Sequence, residues 1–295
     1  MDQGRTNLSR YARPGRLTSA GSFTPLLEAV PSDPAGIVRT IQGLLIHEHV
    51  AGAYGVSLTD ADRQTVHLRP ADEILARIAG GPDDLPLTTS RAPEQRVAGN
   101  CRHYSLLLVT ALRARGVAAR ARCGFGDYFV DGWYEDHWVA EYWHPEQLRW
   151  VMVDAQLDGR QRELFGIDFD VMDVPRGRFL VAGEAWARCR AGEADPDTFG
   201  LRVINEGGWW WIAGNLMRDA AALHAVELLP WDVWGAMPVP FEKIDDERMT
   251  LFDELARLTR APDEHAEELR LLYADERLLV PATVRNELRD RDEPV

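Results

Sequence analysis

The stretch GNCRHYSLLLVTALRARG, residues 99–116, decides the fold because a long apolar run follows a short polar start. At helical spacing, four apolar side chains of this run share one face: Leu107, Leu108, Ala111 and Leu112. The pattern predicts a helix with a buried face, and Gly116 stands where helices commonly end on a left-handed glycine. Cys101 opens the predicted helix, as either a small buried hydrophobe or a nucleophile at a helix N-terminus.

Three segments rich in β-forming residues follow the helix: VAARARCGFGDYFV at 117–130, HWVAEYWH at 137–144 and RWVMVDAQ at 149–156. The last two segments are predicted to form a hairpin. A register with His137 opposite Asp154 pairs residue 143 with 148 and leaves HPEQ, residues 144–147, as the connection. A helix followed by three strands needs no parallel βαβ unit, so we predict an α+β fold with an antiparallel sheet.

Outside this core, periodicity and capping residues predict helices at residues 34–50, 70–79, 184–193, 214–229, 243–259, 263–276 and 281–290. Residues 1–31 are polar and turn-rich, which predicts a lead-in that is mobile or lies on the surface. We predict a single domain over residues 32–295, with its core at 95–160 and a helical C-terminal extension at about 214–290. A separate helical subdomain after about residue 160 is the alternative.

The composition is that of a folded protein, with 45% hydrophobic residues, 27% charged residues and a net charge of −14. This charge repels phosphate groups and argues against nucleic-acid or membrane-surface partners. No stretch has the roughly 20 consecutive apolar residues that cross a bilayer. No apolar segment follows the N-terminal arginines, so we expect a cytoplasmic protein rather than a secreted one. The oligomeric state stays open.

Three cysteines, Cys101, Cys123 and Cys189, are too few and too odd in number for a disulfide framework. They also lack the spacing of a structural zinc site. His47 and His49 are two residues apart, which does not bring their side chains together on a helix. We therefore expect no metal and no cofactor.

A cysteine nucleophile needs a lowered thiol pKa, an imidazole partner and a third group that orients the imidazole. Unpaired amides and the helix dipole favour a thiolate at Cys101. His137 and Asp154 share a face of the predicted hairpin, because side chains alternate along a strand. The structural alternatives are an inert core thiol, a buried histidine with a packing role and an aspartate that caps a turn.

Residues 99–157 resemble the core of the transglutaminase-like superfamily of papain-like cysteine enzymes. The resemblance rests on four features of the sequence: Cys101 at the helix start, LRARGVAAR at 112–120, HWVAEY at 137–142 and WVMVD at 150–154. It implies a nucleophile helix packed on an antiparallel sheet, with Cys101 as nucleophile, His137 as general base and acid, and Asp154 as its orienting partner. The chain departs from many members at Ala155, where they carry proline, and at His103 and Tyr104.

Further residues are candidates for contact with a substrate. The backbone amide of Cys101 and the side chain of Gln95 are candidate oxyanion donors, the latter by analogy with a similarly spaced glutamine of papain-like enzymes. Candidate substrate-binding side chains are His103, Trp138, Trp209 and Trp210. Each has a structural alternative, because a glutamine in a loop or tryptophans in EGGWWWIAGN (206–215) also fit a surface turn or a packed interface.

The chemistry that these residues imply is acyl transfer through a thioester acyl-enzyme. We expect an enzyme of bacterial type that hydrolyses a peptide-like C–N bond, with a peptide or a small-molecule acyl compound as its partner. The first alternative is amide-forming transfer of a small-molecule or carrier-bound acyl group. The second alternative is protein cross-linking. An alternative of another class is a catalytically silent module that binds peptides.

Overall fold

The computed structural model describes residues 8–81 and 85–295. Residue contacts divide the chain into two compact units. The first unit comprises the described residues up to Ala121 together with Val139–Val174. The second comprises Arg122–Trp138 and Pro175–Val295. Each unit is therefore built from two separate stretches of the chain.

The first unit contains α1 (Thr24–Glu28), α2 (Pro34–Leu44), β1 (Leu45–His47), α3 (Asp60–Arg63), α4 (Ala71–Ala79), β2 (Val97–Gly99) and α5 (Cys101–Arg113). It also holds the start of β3 (Ala119–Val130), the end of β4 (Trp133–His144), β5 (Arg149–Val153) and α6 (Gly159–Phe165). Short 3-10 turns lie at Ala51–Tyr54, Gln64–His67 and Pro93–Gln95, among others.

Residues 8–31 of the predicted lead-in lie against the first unit through several buried side chains, and residues 1–7 lie outside the described residues. Tyr11, Leu17 and Leu27 are each no more than 6% exposed. The Arg115 guanidinium donates a hydrogen bond of 2.8 Å to the carbonyl of Val30. Apolar residues are scattered through this turn-rich stretch without helical or strand periodicity, so the sequence pattern did not reveal their burial.

Helix α2 begins as predicted but ends earlier. The Asp33 side chain caps it by accepting from the Gly36 amide at 2.7 Å. The helix ends at Leu44, and the next three residues form β1, which pairs in parallel with β2. The apolar side chains of Leu45 and Ile46 fit a buried strand as well as a helix, so periodicity alone could not locate the boundary.

Helix α5 is entirely buried over its thirteen residues and packs against α2 and α4. Beyond its end, Gly116 has a φ of +73°. The Val117 amide donates to the Leu112 carbonyl at 3.0 Å. The predicted left-handed glycine is therefore present, and it closes the helix in the manner of a Schellman motif.

Strands β4 and β5 form the predicted antiparallel hairpin. The backbone pairs run from His144 with Arg149 to Ala140 with Val153. Residues 145–148 therefore connect the strands, and Leu148 ends the connection with a positive φ of 50°. His144 continues the strand instead of entering the turn.

This register is two residues away from the predicted one. Extending the observed pairs places residue 154 opposite residue 139, so the predicted pairing of Asp154 with His137 is wrong. A shift of two residues leaves every side chain on its original face, because the side-chain period of a strand is two. Each side chain of the two strands therefore lies on the face of the hairpin that was predicted for it.

The second unit contains the rest of β3 and β4, then β6 (Phe179–Val181), α7 (Ala182–Arg190), β7 (Phe199–Leu201), β8 (Glu206–Gly207) and α8 (Trp209–Leu223). It continues with β9 (Asp232–Val233), α9 (Asp246–Arg260), α10 (Ala266–Leu272), β10 (Thr283–Asn286) and β11 (Arg291–Pro294). The largest sheet has the strand order β6-β3-β4-β7-β8, with β5 also paired to β4.

Most pairs in this sheet are antiparallel, among them β3 with β6 and β7 with β8. Strands β4 and β7 pair in parallel, which the sequence did not predict. Strand β7 has only three residues, too few to leave a periodic signal. Helices and a largely antiparallel sheet confirm the α+β class.

Helices α7, α8 and α9 pack against one another, with Trp186 at their centre. Its ring makes edge contacts with Trp209 at 4.9 Å and with Phe252 at 5.4 Å between centroids. Its indole N–H donates to Asp253 at 2.8 Å, so this buried tryptophan keeps a polar partner.

The predicted helix at 281–290 is wrong, because this stretch belongs to a hairpin of β10 and β11. Asp290 turns the chain with a φ of +50°. The fully buried Asn286 donates to Glu293 at 2.8 Å, across the two strands. Thr283 and Val284 are β-branched and favour the strand.

Candidate functional site

Cys101 is the first residue of α5, directly after β2 and the capping residue Asn100. Asn100 has an extended backbone with φ −128° and ψ −179°, so the chain passes from strand to helix within one residue. The Cys101 residue is 7% exposed. The first amides of a helix lack partners within the helix, and the dipole favours negative charge there. Cys101 therefore lies at the end of α5 that stabilises a thiolate.

His103 lies in the first turn of α5 and belongs to the helix cap. Its Nδ1 is 2.9 Å from Asn100 Oδ1 and 3.4 Å from the Asn100 backbone nitrogen. Complete burial, with the neighbouring Arg102 charge, holds the pKa of His103 well below its usual range. Sequence reasoning offered His103 as a substrate contact, whereas the structure places its imidazole in the cap, with no exposed surface.

Glu48 is a neighbour of the helix start that sequence reasoning missed. It follows β1, and its amide donates to the Gly99 carbonyl at 2.9 Å, which brings it beside Asn100. Burial raises the pKa of the Glu48 carboxyl to about 7, against the opposing effects of Arg63 and the Asn100 side chain. Strands β1 and β2 have three residues each and leave no periodic signal, so their pairing could not be predicted.

Replacing Glu48 with glutamine is expected to flatten the pH dependence of stability between pH 5 and 8. A carboxyl group with a raised pKa in the folded protein stabilises the fold only while it is protonated. This contribution is lost as the pH rises from the unfolded value of 4.5 to the folded value of about 7. Glu48→Gln should therefore raise the urea midpoint at pH 8 but not at pH 5.

The matched control is Glu28→Gln, because Glu28 is an exposed glutamate of the same unit. The difference in urea midpoint between Glu28→Gln and the parent should be the same at pH 5 and at pH 8. A gain for Glu48→Gln that is equal at pH 5 and pH 8 would contradict a raised Glu48 pKa.

Asp154 directly follows β5 and is fully buried. Its amide donates to the Val171 carbonyl at 2.9 Å. Its Oδ1 accepts from the Gln156 amide at 3.1 Å. The carboxylate therefore caps the turn after β5, the structural role considered for it, and the same bond fixes its orientation.

His137 lies on β4 in the second unit and is 2% exposed. Three aromatic rings meet its imidazole edge-on, with centroid distances of 4.8 Å to Phe129, 6.1 Å to Tyr128 and 6.3 Å to Phe179. These rings limit the rotation of the imidazole. Phe129 and Phe179 come from other strands, so the sequence pattern around His137 could not identify them.

Asp136 precedes His137 on β4 and lies on the opposite face of the strand. Its Oδ2 accepts from the indole of Trp211 at 2.7 Å. Burial raises the pKa of Asp136, and the Arg218 charge opposes that rise. The third tryptophan of the WWW run thus anchors α8 to the strand that carries His137.

The other candidates lie in different surroundings. Trp138 is fully buried on β4, and Trp209 is half-buried against the helices of the second unit. Trp210 is half-buried, with its ring 5.6 Å from that of the exposed Phe241. Gln95 ends an exposed 3-10 turn. Trp138 therefore has a packing role, while Gln95, Trp209 and Trp210 retain accessible surface.

The structure places Cys101 and Asp154 in the first unit and His137 in the second. Within residues 8–81 and 85–295, no group of three or more His, Cys, Asp and Glu is arranged to hold a metal ion. In the same residues, no helix has both the length and the apolar character needed to cross a membrane.

Comparison with known proteins matches residues 75–155 to the model of the transglutaminase-like superfamily. The chain is similar to a protein-glutamine gamma-glutamyltransferase of Pseudomonas aeruginosa, with 28% identity over 124 residues, 37% of this chain and 17% of that protein. Among solved structures it is similar to a chain from Cytophaga hutchinsonii assigned as a cysteine protease. That match has 15% identity and a TM-score of 0.34, and it covers 58% of this chain and 44% of the other. The matched part of this chain spans less than a fifth of the length of the Pseudomonas aeruginosa protein.

Proposed function

We propose that this protein is a cysteine-dependent acyl-transfer enzyme, from the premise that residues 75–155 match the transglutaminase-like superfamily. One observation carries the proposal: Cys101 opens a fully buried helix inside the matched residues. A cysteine with only a packing role would fit as well anywhere along the buried face of α5. The matched span also includes His137 and Asp154, the other two proposed catalytic residues.

In the proposed reaction the Cys101 thiolate attacks an amide or ester carbonyl and forms a tetrahedral intermediate. His137 takes the thiol proton and gives it to the leaving amine, so the C–N bond breaks and a thioester remains. Asp154 orients His137. The backbone amide of Cys101, at the start of α5, donates to the oxyanion, with the Gln95 side chain as a second donor.

Water completes the proposed reaction by attacking the thioester, which releases a carboxylic acid and returns the proton through His137. This outcome is hydrolysis of a peptide-like C–N bond. The alternative is attack by an amine, which forms a new amide on a small-molecule or carrier-bound acyl group. The name of the Pseudomonas aeruginosa relative, which denotes transfer of a glutamyl group, supports that alternative.

The proposal is tested by intact-protein mass spectrometry after incubation with a panel of peptide amides and acyl thioesters. We expect a covalent acyl adduct in the parent protein and none in Cys101→Ala. Cys189→Ala is the matched control, because burial raises the pKa of the Cys189 thiol to about 12. This control should form the adduct as the parent does.

Adding a competing primary amine to half of the samples assigns the acceptor. Decay to the free acid in both halves supports hydrolysis, whereas faster decay to an amide product in the presence of amine supports transfer. If no donor forms an adduct that depends on Cys101, the enzymatic proposal is wrong and a peptide-binding module becomes the better explanation.

A further inference from the structure

We propose that Arg96 and Arg160, which converge on the ring of Tyr54, form a binding site for a carboxylate group of the substrate. The guanidinium carbons lie 5.7 Å and 5.6 Å from the ring centroid, respectively. All three residues belong to the first unit. The inference rests on the proposed function, because it names the chemical class of substrate that the same site would take.

Both guanidinium groups are held in place by the backbone. Arg96 Nε donates to the Arg91 carbonyl at 3.1 Å, and Arg160 Nη1 donates to the Ala53 carbonyl at 2.6 Å. Each guanidinium group has further N–H donors besides the one in its backbone hydrogen bond. A planar guanidinium offers such groups to a carboxylate in a fork geometry, which makes arginine the preferred residue for this recognition.

The local charge is positive in a strongly acidic protein. Within the residues that the structure describes, neither Arg96 nor Arg160 forms an ion pair with a carboxylate, although the chain has 47 acidic residues and a net charge of −14. One acidic group, Asp158, lies near the Tyr54 hydroxyl, and its Oδ1 accepts from the backbone N–H of Gln161 at 3.0 Å. Two cations against one anion leave a net positive charge that suits an anionic ligand.

A chain of hydrogen bonds connects this site to a proposed catalytic residue. The Tyr54 hydroxyl accepts from Gln161 Nε2 at 3.2 Å, and Gln161 Oε1 accepts from Gln156 Nε2 at 2.8 Å. The backbone N–H of Gln156 in turn donates to Asp154 Oδ1 at 3.1 Å. Both glutamines are buried, so the positions of Tyr54 and of Asp154 are fixed relative to each other.

The site is also close to the nucleophile helix. Tyr104 lies three residues after Cys101 and on the same side of α5. Burial raises the pKa of Tyr104, with further contributions from Tyr54 and Asp158, while Arg96 lowers it. Arg96 precedes Cys101 by five residues, which span at most about 17 Å at about 3.3 Å per residue in a strand. A carboxylate within about four residues of the scissile bond would therefore reach Arg96.

Equilibrium binding tests the site without requiring turnover. NMR titrations of the parent protein would compare N-acetylglutamate α-amide with N-acetylglutamine α-amide, and N-acetyl-alanyl-alanine with its C-terminal amide. The first pair presents a side-chain carboxylate and the second a chain terminus. We expect at least one acid to bind about ten-fold more tightly than its neutral counterpart.

Arg96→Gln and Arg160→Gln should each remove this preference. Arg39→Gln is the matched control, because Arg39 is an exposed arginine of α2 and the change in charge is the same. If Arg96→Gln does not fold, Arg96→Lys replaces it and should weaken the preference several-fold by losing the fork geometry. The site is disproved if the parent shows no preference for the acids, or if Arg39→Gln weakens the preference as much as the other variants.

The two proposals fail separately. A preference for carboxylates that depends on both arginines, without any acyl adduct on Cys101, supports the binding site and contradicts the enzymatic function. Adducts that form equally fast from acidic and neutral donors, with no preference in binding, contradict the site and leave the function supported.

Discussion

Cys101 should react with iodoacetamide at a rate that changes less than about three-fold between pH 6 and 9. An ordinary thiol with a pKa of about 8.5 changes its thiolate fraction by about two hundred-fold over this range. The proposed function requires that the start of α5 and the His137 imidazolium keep Cys101 ionised throughout. Alkylation of the native protein, followed by peptide mapping at each pH, measures the profile.

The shape of the profile is a better test than the rate at a single pH. A thiolate of lower pKa is also a weaker nucleophile, so its advantage over a free thiol at pH 6.5 is only several-fold. Cys123 and Cys189 serve as internal standards in the same samples, because Cys123 is fully buried and burial raises the pKa of the Cys189 thiol to about 12. They should be modified only after denaturation.

His137→Gln tests whether the imidazole is needed, in addition to the helix start, to keep Cys101 ionised. Without the imidazole, the midpoint of the profile should rise by more than one pH unit, and the rate at pH 6.5 should fall about ten-fold. His144→Gln is the matched control, since His144 lies on the same strand near its other end. A parent profile that follows the free thiol, or equal effects of the two histidine variants, would argue against the triad.

The hairpin of β4 and β5 shows how far the sequence determines the geometry around His137 and Asp154. Alternation along a strand decides the face of each side chain, and that part was predicted. The register depends on the turn, and the observed connection places Leu148 at a positive φ of 50°. Bulky residues rarely adopt that conformation, so turn chemistry favoured a connection that begins one residue too early, which shifts the register by two residues.

The neighbours of the helix start were beyond prediction for another reason. Glu48 follows a three-residue strand, Tyr54 ends a 3-10 turn and Arg160 lies in a seven-residue helix. Segments of this length carry no periodic signal, and their positions follow from contacts between parts of the chain that are distant in sequence. The apolar run of α5 was predictable because burial of a whole helix leaves its pattern over several turns.

Asp219→Asn should lower the free energy of unfolding by about 3 kcal/mol, the largest effect on stability that we expect from one side chain. Asp219 is fully buried and accepts from Arg122 Nε at 2.9 Å and Nη2 at 2.8 Å. It also accepts from the Cys123 amide at 3.0 Å, and Arg122 Nη2 donates to the Thr259 carbonyl at 2.8 Å. The substitution keeps the volume of the side chain but leaves a buried guanidinium without its counter-charge.

Urea denaturation of the variant measures the loss, and Glu267→Gln is its matched control. Glu267 pairs with Arg270 in the same unit, but both side chains are more than half exposed, at 67% and 57%. Solvent screens such a pair, so its loss should cost less than about 1 kcal/mol. Similar losses in the two variants would contradict a buried ion pair at Asp219. A large loss at Asp219 alone would support a buried ion pair, because breaking it leaves the Arg122 guanidinium buried without its counter-charge.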